Sequence, residues 1–172
     1  MPDSQPLEIE RKYLIEYPDV AFLETLPQYS RTEITQTYLS IEENGAHGRV
    51  RKRGKNGKYI YTKTFKREIT DMTRVEIESH ITREEYEQLL VYKQEDSRTI
   101  EKERITFSFG GKNVEIDIYP FWNDKAVMEI EFDSESESKA YLTPPFIKVI
   151  RDVTYEKEFR NSSIALNGIP KT

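Results

Sequence analysis

"EIERKYLI", Glu8 to Ile15, separates cleanly when every second residue is read. Glu8, Glu10 and Lys12 fall on one side and Ile9, Tyr13 and Ile15 on the other, with Arg11 the one charge among the apolar set. Period-2 alternation is the mark of a strand with two unlike faces. On a single strand the charged face is simply the solvent face, so what the stretch means depends on whether other strands repeat it.

They do. Val75, Ile77 and Ile81 alternate with Arg74, Glu76, Glu78 and His80; Val114, Ile116 and Ile118 alternate with Glu115 and Asp117; Met128, Ile130 and Phe132 alternate with Glu129 and Glu131. Arg49, Arg51 and Arg53 share a face, and Arg98, Lys102 and Arg104 lie opposite Ile105, Phe107 and Phe109. Lys63 has the parity of Tyr59 and Tyr61. The charges are also sorted: Glu8/Glu10, Glu76/Glu78, Glu115/Asp117 and Glu129/Glu131 sit on acidic strands, whereas Arg49/Arg51/Arg53 and Lys102/Arg104 sit on basic ones. Solubility needs no such sorting, because like charges in a row repel. Sorting by strand is expected if the strands curl around a lumen with opposing acidic and basic walls, their apolar outer faces covered by helices.

The rest of the chain fits that architecture. "ITQTYLSI" (Ile34–Ile41) is rich in β-branched and aromatic residues and reads as a strand. "GKNG" (Gly54–Gly57) and Gly110-Gly111 are hairpin turns. Short helices are expected over 20–26, 83–93 (Thr82 and Glu85 forming a capping box), 135–142 (Ser134 with Glu137) and from about Asn161. The expected fold is therefore α+β, an eight-stranded antiparallel β-barrel or tunnel with a charged lumen, flanked by a few helices.

Composition narrows the class. The 172 residues suit one domain, 1–172, and 33% charged residues with 12% aromatics belong to a folded chain, not a disordered one. With no Cys, thiolate chemistry and Cys-ligated zinc are excluded. A net charge of -5 argues against nucleic acid as partner. The amino terminus has acids where a leader would have a basic patch and an apolar run, and no stretch approaches the length of a membrane span, so no membrane partner is expected and the location is read as cytoplasmic.

Enclosing so many ions costs several kcal/mol each unless every one is paired or ligated. A bound ligand that is both anionic and metal-associated removes that cost. Paired carboxylates are the hard oxygen ligands that Mg²⁺ or Mn²⁺ prefers, and Arg and Lys are the usual partners of phosphate. Together they describe a phosphoryl-transfer site. Glu85/Glu87, Glu101/Glu103 and Glu135/Glu137 read as solvated surface, His47 and His80 as isolated, and Trp122 as packing.

Set in order, "EIERKYLI", "RVRKRG", "TKTFK", "RVEIES", "KERITFSF", "VEIDIY", "MEIEF" and "DVTYEKEFRNSSIA" resemble the CYTH superfamily, the triphosphate tunnel metalloenzymes, across nearly the whole chain. The resemblance implies an eight-stranded antiparallel tunnel that hydrolyses or rearranges triphosphates with Mg²⁺ or Mn²⁺. It implies Glu8, Glu10, Glu129 and Glu131 as metal-site carboxylates, with Asp117, Glu76 and Glu78 supporting the metal or the attacking water. It implies Lys12, Arg49, Arg51, Lys63, Lys102, Arg104 and Lys157 as the phosphate clamps. Arg53 and Arg98 match no family motif. "PPFIKVIRDVT" departs from the family's Trp-Leu-Gly-Glu-Val-Thr run, with Asp152 in place of the Glu, which leaves the closure of the carboxy-terminal end of the tunnel open.

The activity expected on this basis is removal of the terminal phosphoryl of a triphosphate, inorganic tripolyphosphate first. Thiamine or nucleoside triphosphatase, a class IV adenylyl cyclase and a noncatalytic polyphosphate-binding module are the alternatives. The complete acidic pairs argue against the last, since binding alone needs only the basic wall.

Overall fold

The computed structural model describes residues 7–43 and 46–172, so the first six residues, part of the stretch weighed above as a leader, lie outside it. The elements in order are β1 (Leu7–Glu16), α1 (Val20–Leu23), β2 (Ser30–Glu43), β3 (Ala46–Lys55), β4 (Lys58–Glu68), β5 (Thr73–Ile81), α2 (Arg83–Leu89), β6 (Ile100–Phe109), β7 (Lys112–Ile118), β8 (Lys125–Phe132), α3 (Glu135–Ala140), β9 (Val149–Asp152) and α4 (Asn161–Asn167). Every strand pairing is antiparallel, in the order β5-β4-β3-β2-β6-β7-β8-β1-β9.

The ring closes unevenly. One edge of β1 pairs with β8 from Ile9 to Glu16. Its other edge pairs with β5 for three residues, Leu7 to Ile9, and then with β9 from Tyr13 to Ile15. The ninth strand, absent from the sequence reading, thus takes up the edge that β5 leaves. An unpaired edge is a template for aggregation, so a short strand laid against it removes a liability.

Local chemistry sets the connections. Asn56 and Gly57 have φ of 53° and 76°, and Gly110 and Gly111 have 60° and 74°, the left-handed pairs of two-residue hairpins. Gly54 must be glycine for a different reason: a Cβ there would lie 1.9 Å from the Lys58 carbonyl oxygen across the same hairpin. The Thr82 hydroxyl accepts from the Glu85 amide while Glu85 accepts from the Thr82 amide, the reciprocal box expected for α2.

Two apolar clusters lie outside the ring, as expected. One joins Ile9, Tyr13, Ile105, Phe107, Ile116, Met128 and Ile130 to Leu23 of α1 and Ile147. The other joins Leu39 and Val50 to Tyr86 of α2. The third cluster bounds the charged lumen at one end. Leu14, Ile100 and Val127 share the inward parity of Lys12, Lys102 and Glu129, and they pack against Tyr119, Val153, Phe159, Ile164 and Ala165. The carboxy-terminal segment therefore plugs one end of the lumen with hydrocarbon. It is tied to β1 by the Lys12 amide donating to Thr154 Oγ1 (3.0 Å) and the Val153 amide donating to the Lys12 carbonyl (2.9 Å). No helix among the described residues is long and apolar enough to cross a membrane.

Candidate active site

Antiparallel register brings the charged faces together. Arg49, Arg51 and Arg53 oppose Thr64, Thr62 and Ile60 of β4, and Arg53 and Arg51 oppose Ile34 and Gln36 of β2. Lys12 and Glu10 oppose Glu129 and Glu131, and Glu115 opposes Glu129. Following the ring, β7, β8, β1 and β5 carry most of the carboxylates, and β4, β3 and β6 carry most of the cations, with the neutral Thr32 and Gln36 on β2 and with Glu68, paired with Arg160, at the end of β4. The two sets are each contiguous, so they form opposite halves of a cavity of about 1000 Å³.

On the acidic half two cations serve as internal counterions. Lys12 Nζ lies 3.1 Å from Glu129 and donates to the Phe159 carbonyl (3.2 Å), and Arg74 Nη1 lies 3.1 Å from Glu10. Where the halves meet beside β5, Lys66 Nζ lies 3.1 Å from Glu8 and 3.7 Å from Glu76. Glu78 accepts from the Thr64 hydroxyl (3.2 Å).

The basic half is short of acids. Arg51 donates through Nε (3.3 Å) and Nη2 (3.0 Å) to Gln36 Oε1, a neutral amide. Arg53 Nε donates to the Thr32 hydroxyl (2.9 Å). Arg49 reaches Glu76 at 3.9 Å, and its buried Nε has no hydrogen-bond partner. Burial, with Arg49 and Arg104 close by, pulls the Arg51 pKa down to about 9, and burial with Arg104 lowers that of Arg53. These groups would be more stable as cations with an anion beside them.

The opposite tension holds across the cavity. Burial, then Glu129 and Glu8, push Glu10 up to about 8 in spite of Lys12 and Lys66, whereas Glu129 is held at about 2 because Lys12 and Arg104 outweigh its burial. Oxygen donors that raise one another's pKa are the chemistry a hard divalent cation relieves, and Glu8, Glu10, Glu129 and Glu131 all line this wall. Among the described residues, however, no three such groups are gathered around one point as a metal-holding cluster. The donor types fit Mg²⁺ or Mn²⁺, and Glu129, Glu8 and Glu10 are paired with Lys12, Lys66 and Arg74.

Glu10 yields a pH prediction. Its folded pKa lies above the ordinary carboxylate value of 4.5, so the folded state binds the extra proton and the stabilisation is complete below 4.5 and lost as pH rises toward 8. In chelator, the melting temperature of the wild type should fall over that window more than that of Glu10→Gln. Parallel profiles would contradict the assignment.

The expected site residues divide by position. Glu8, Glu10, Lys12, Arg49, Arg51, Glu76, Glu78, Arg104, Glu129 and Glu131 come together on the cavity wall. Asp117 and Lys102 share their parity but lie beneath it. Lys102 Nζ is 2.6 Å from Asp117 Oδ2, and Arg104 grips both oxygens of the same carboxylate at 2.7 and 3.0 Å. Buried with two cations on one carboxylate, Asp117 has a pKa well below the usual range even though burial alone would raise it.

Lys63 and Lys157 are not brought to this wall. Lys63 opposes Val50, whose side chain is buried against α2, and so it points out of the ring beside Phe65. Lys157 is exposed in the 3-10 turn Lys157–Phe159. Their places on the wall are taken by Lys66 and Arg160. The parity of Thr62, Thr64 and Lys66 against Tyr59, Tyr61 and Lys63 was a signal for the first. Arg160 sits in a turn and has no periodicity to betray it.

No protein of curated function matches this chain. Among solved structures it is similar to the inorganic triphosphatase NE1496, at 28% identity over 95% of this chain and 97% of that one, with a TM-score of 0.59. PH1819 from Pyrococcus horikoshii OT3 (20% identity, 76% of this chain and 81% of that one, TM-score 0.53) shares the fold. So does HpAC1 from Hippeastrum, an adenylyl cyclase candidate described with a dominant triphosphatase activity (13%, 77% and 82%, TM-score 0.52). The model of the CYTH domain matches residues 6–141, the span that carries both halves of the charged cavity, and on that match this chain belongs to the CYTH family.

Proposed function

We propose that the protein is a metal-dependent triphosphatase that removes the terminal phosphoryl group of a small triphosphate, inorganic tripolyphosphate in the first place. The observation that carries this reading is the partition of one cavity into an acidic and a basic half, with Arg51 on the basic half satisfied by a neutral amide alone. The likeness to NE1496, described as an inorganic triphosphatase, supports it.

In this reading Arg49, Arg51, Arg104 and Lys12 hold the phosphate chain, Arg as forks and Lys as a point charge. Glu8, Glu10, Glu129 and Glu131 would hold Mg²⁺ or Mn²⁺, which when bound supplies charge stabilisation at the phosphoryl oxygens. A water oxygen joins the terminal phosphorus as the bridging P–O bond on its far side breaks, and the water gives up a proton. Glu78 is suited to take that proton, because it accepts from a threonine hydroxyl and forms no ion pair among the described residues. Asp117 acts from beneath the wall by fixing the Arg104 fork.

Phosphate release from tripolyphosphate, ATP and thiamine triphosphate, each with Mg²⁺, Mn²⁺ or chelator and with cyclic AMP followed in parallel, tests the proposal. Release from tripolyphosphate that needs a divalent cation is expected. Cyclic AMP from ATP in place of phosphate would make it a cyclase, and tight binding without turnover a binding module.

A further inference from the structure

Among the described residues, β5 keeps one edge without a strand partner over most of its length. It pairs with β4 from Arg74 to Ile81, but with β1 only from Thr73 to Val75. β9 takes up the edge of β1 that β5 leaves, and no described strand does the same for β5 from Glu76 to Ile81. Neighbouring bonds show which backbone groups face that edge. The Glu10 amide donates to the Met72 carbonyl on the β1 side, and the Ile69 amide donates to the Thr73 carbonyl on the β4 side. Alternation then turns the N–H and C=O groups of Glu76, Glu78 and His80 toward the open edge. Continuing β1 upstream in register would set Pro6 opposite Glu76, and proline has no N–H to donate there.

The edge is complementary to a second copy of itself. An antiparallel ladder between two such edges must set even-numbered residues opposite even-numbered ones, so its two-fold axis passes through one residue. With the axis at Glu78, that carboxylate meets its own copy; with the axis at Ile77, Glu76 meets Glu78. Like charges directly opposite one another are destabilising. An axis at Ser79 removes both conflicts. Glu78 then faces His80 of the second copy, and His80 faces Glu78 of the second copy, on the side that carries the lumen carboxylates. On the outer side Ile77 faces Ile81 of the second copy, again twice over. The side chains are available for this: Ile77 is 51% exposed, Glu78, Ser79 and His80 are exposed, and neither Glu78 nor His80 forms an ion pair among the described residues.

We infer that two copies of this chain associate through β5, edge to edge about an axis at Ser79, an inference that stands apart from the reaction proposed for the cavity. Six residues a side bury less than the roughly 1,200 Å² of a standard interface, so the dimer is weak and concentration-dependent. Sedimentation equilibrium of the full chain from about 5 to 500 μM should show the mean mass climb from that of one chain toward that of two. His80→Glu sets a carboxylate opposite Glu78 on both sides of the axis and should raise the dissociation constant about tenfold or more. Ser79→Lys sets two ammonium groups together on the axis and should do the same by a separate route, whereas His80→Lys keeps both pairings and should dimerise at least as well as the wild type. Both positions are exposed, so circular dichroism should show all three variants folded. A single chain at every concentration, the result if the amino-terminal residues or a foreign strand hold this edge, overturns the inference. So does a dimer that neither His80→Glu nor Ser79→Lys weakens.

Discussion

Replacing Asp117 with asparagine should destabilise the fold by about 3–5 kcal/mol, the usual result of taking one partner from a buried ion pair. The side chain of Lys102 has no exposure and that of Arg104 little, so neither cation can turn to water once the carboxylate between them is neutral. For a chain of this size the melting temperature should fall by roughly 6–20 °C. A fall of only a degree or two would show that the triad contributes nothing net. The pH dependence has a definite sign. The folded pKa of Asp117 lies below its unfolded value, so its contribution is present above the unfolded value of about 4 and is lost as pH falls through the folded one. The gap between wild type and variant should therefore be full at neutral pH and narrow only in acid.

The largest effect on turnover is expected for Glu129→Gln. Glu129 lies 3.1 Å from Lys12 and 3.9 Å from Arg104, and its low pKa keeps it ionised at any working pH. Glutamine keeps the volume and an acceptor for Lys12, so circular dichroism should show the wild-type fold. Loss of a proposed metal-site charge removes several kcal/mol of transition-state stabilisation, and kcat/KM for tripolyphosphate should drop about 10³-fold. Turnover within a few-fold of wild type would remove Glu129 from the metal assignment.

The strands and the charged wall were legible because both rest on a period of two. The alternation in "EIERKYLI" and its counterparts decides which side chains share a face, and the hairpin glycines and the Thr82/Glu85 box mark where strands and helix begin and end. Lys63 shows the cost of ignoring that rule: its motif resembles the family's, but its parity matches Tyr61, and it points outward. Asp117 and Lys102 carry the right parity yet lie beneath the wall, because parity distinguishes inside from outside and says nothing of depth along the lumen.

The β9 edge strand and the carboxy-terminal plug had no comparable signal. "VIRD" is four residues long, and Phe159, Arg160 and the residues of α4 follow one another through turns without a repeat. What the sequence alone determined is the two-faced strands, their sorting into acid and base, and hence a ring around opposed charges. Tertiary structure alone decided which charges neutralise one another, which stay unmatched, and how one end is sealed, because ion pairing and plugging depend on distances between residues more than a hundred positions apart, as between Lys12 and Glu129 or Phe159.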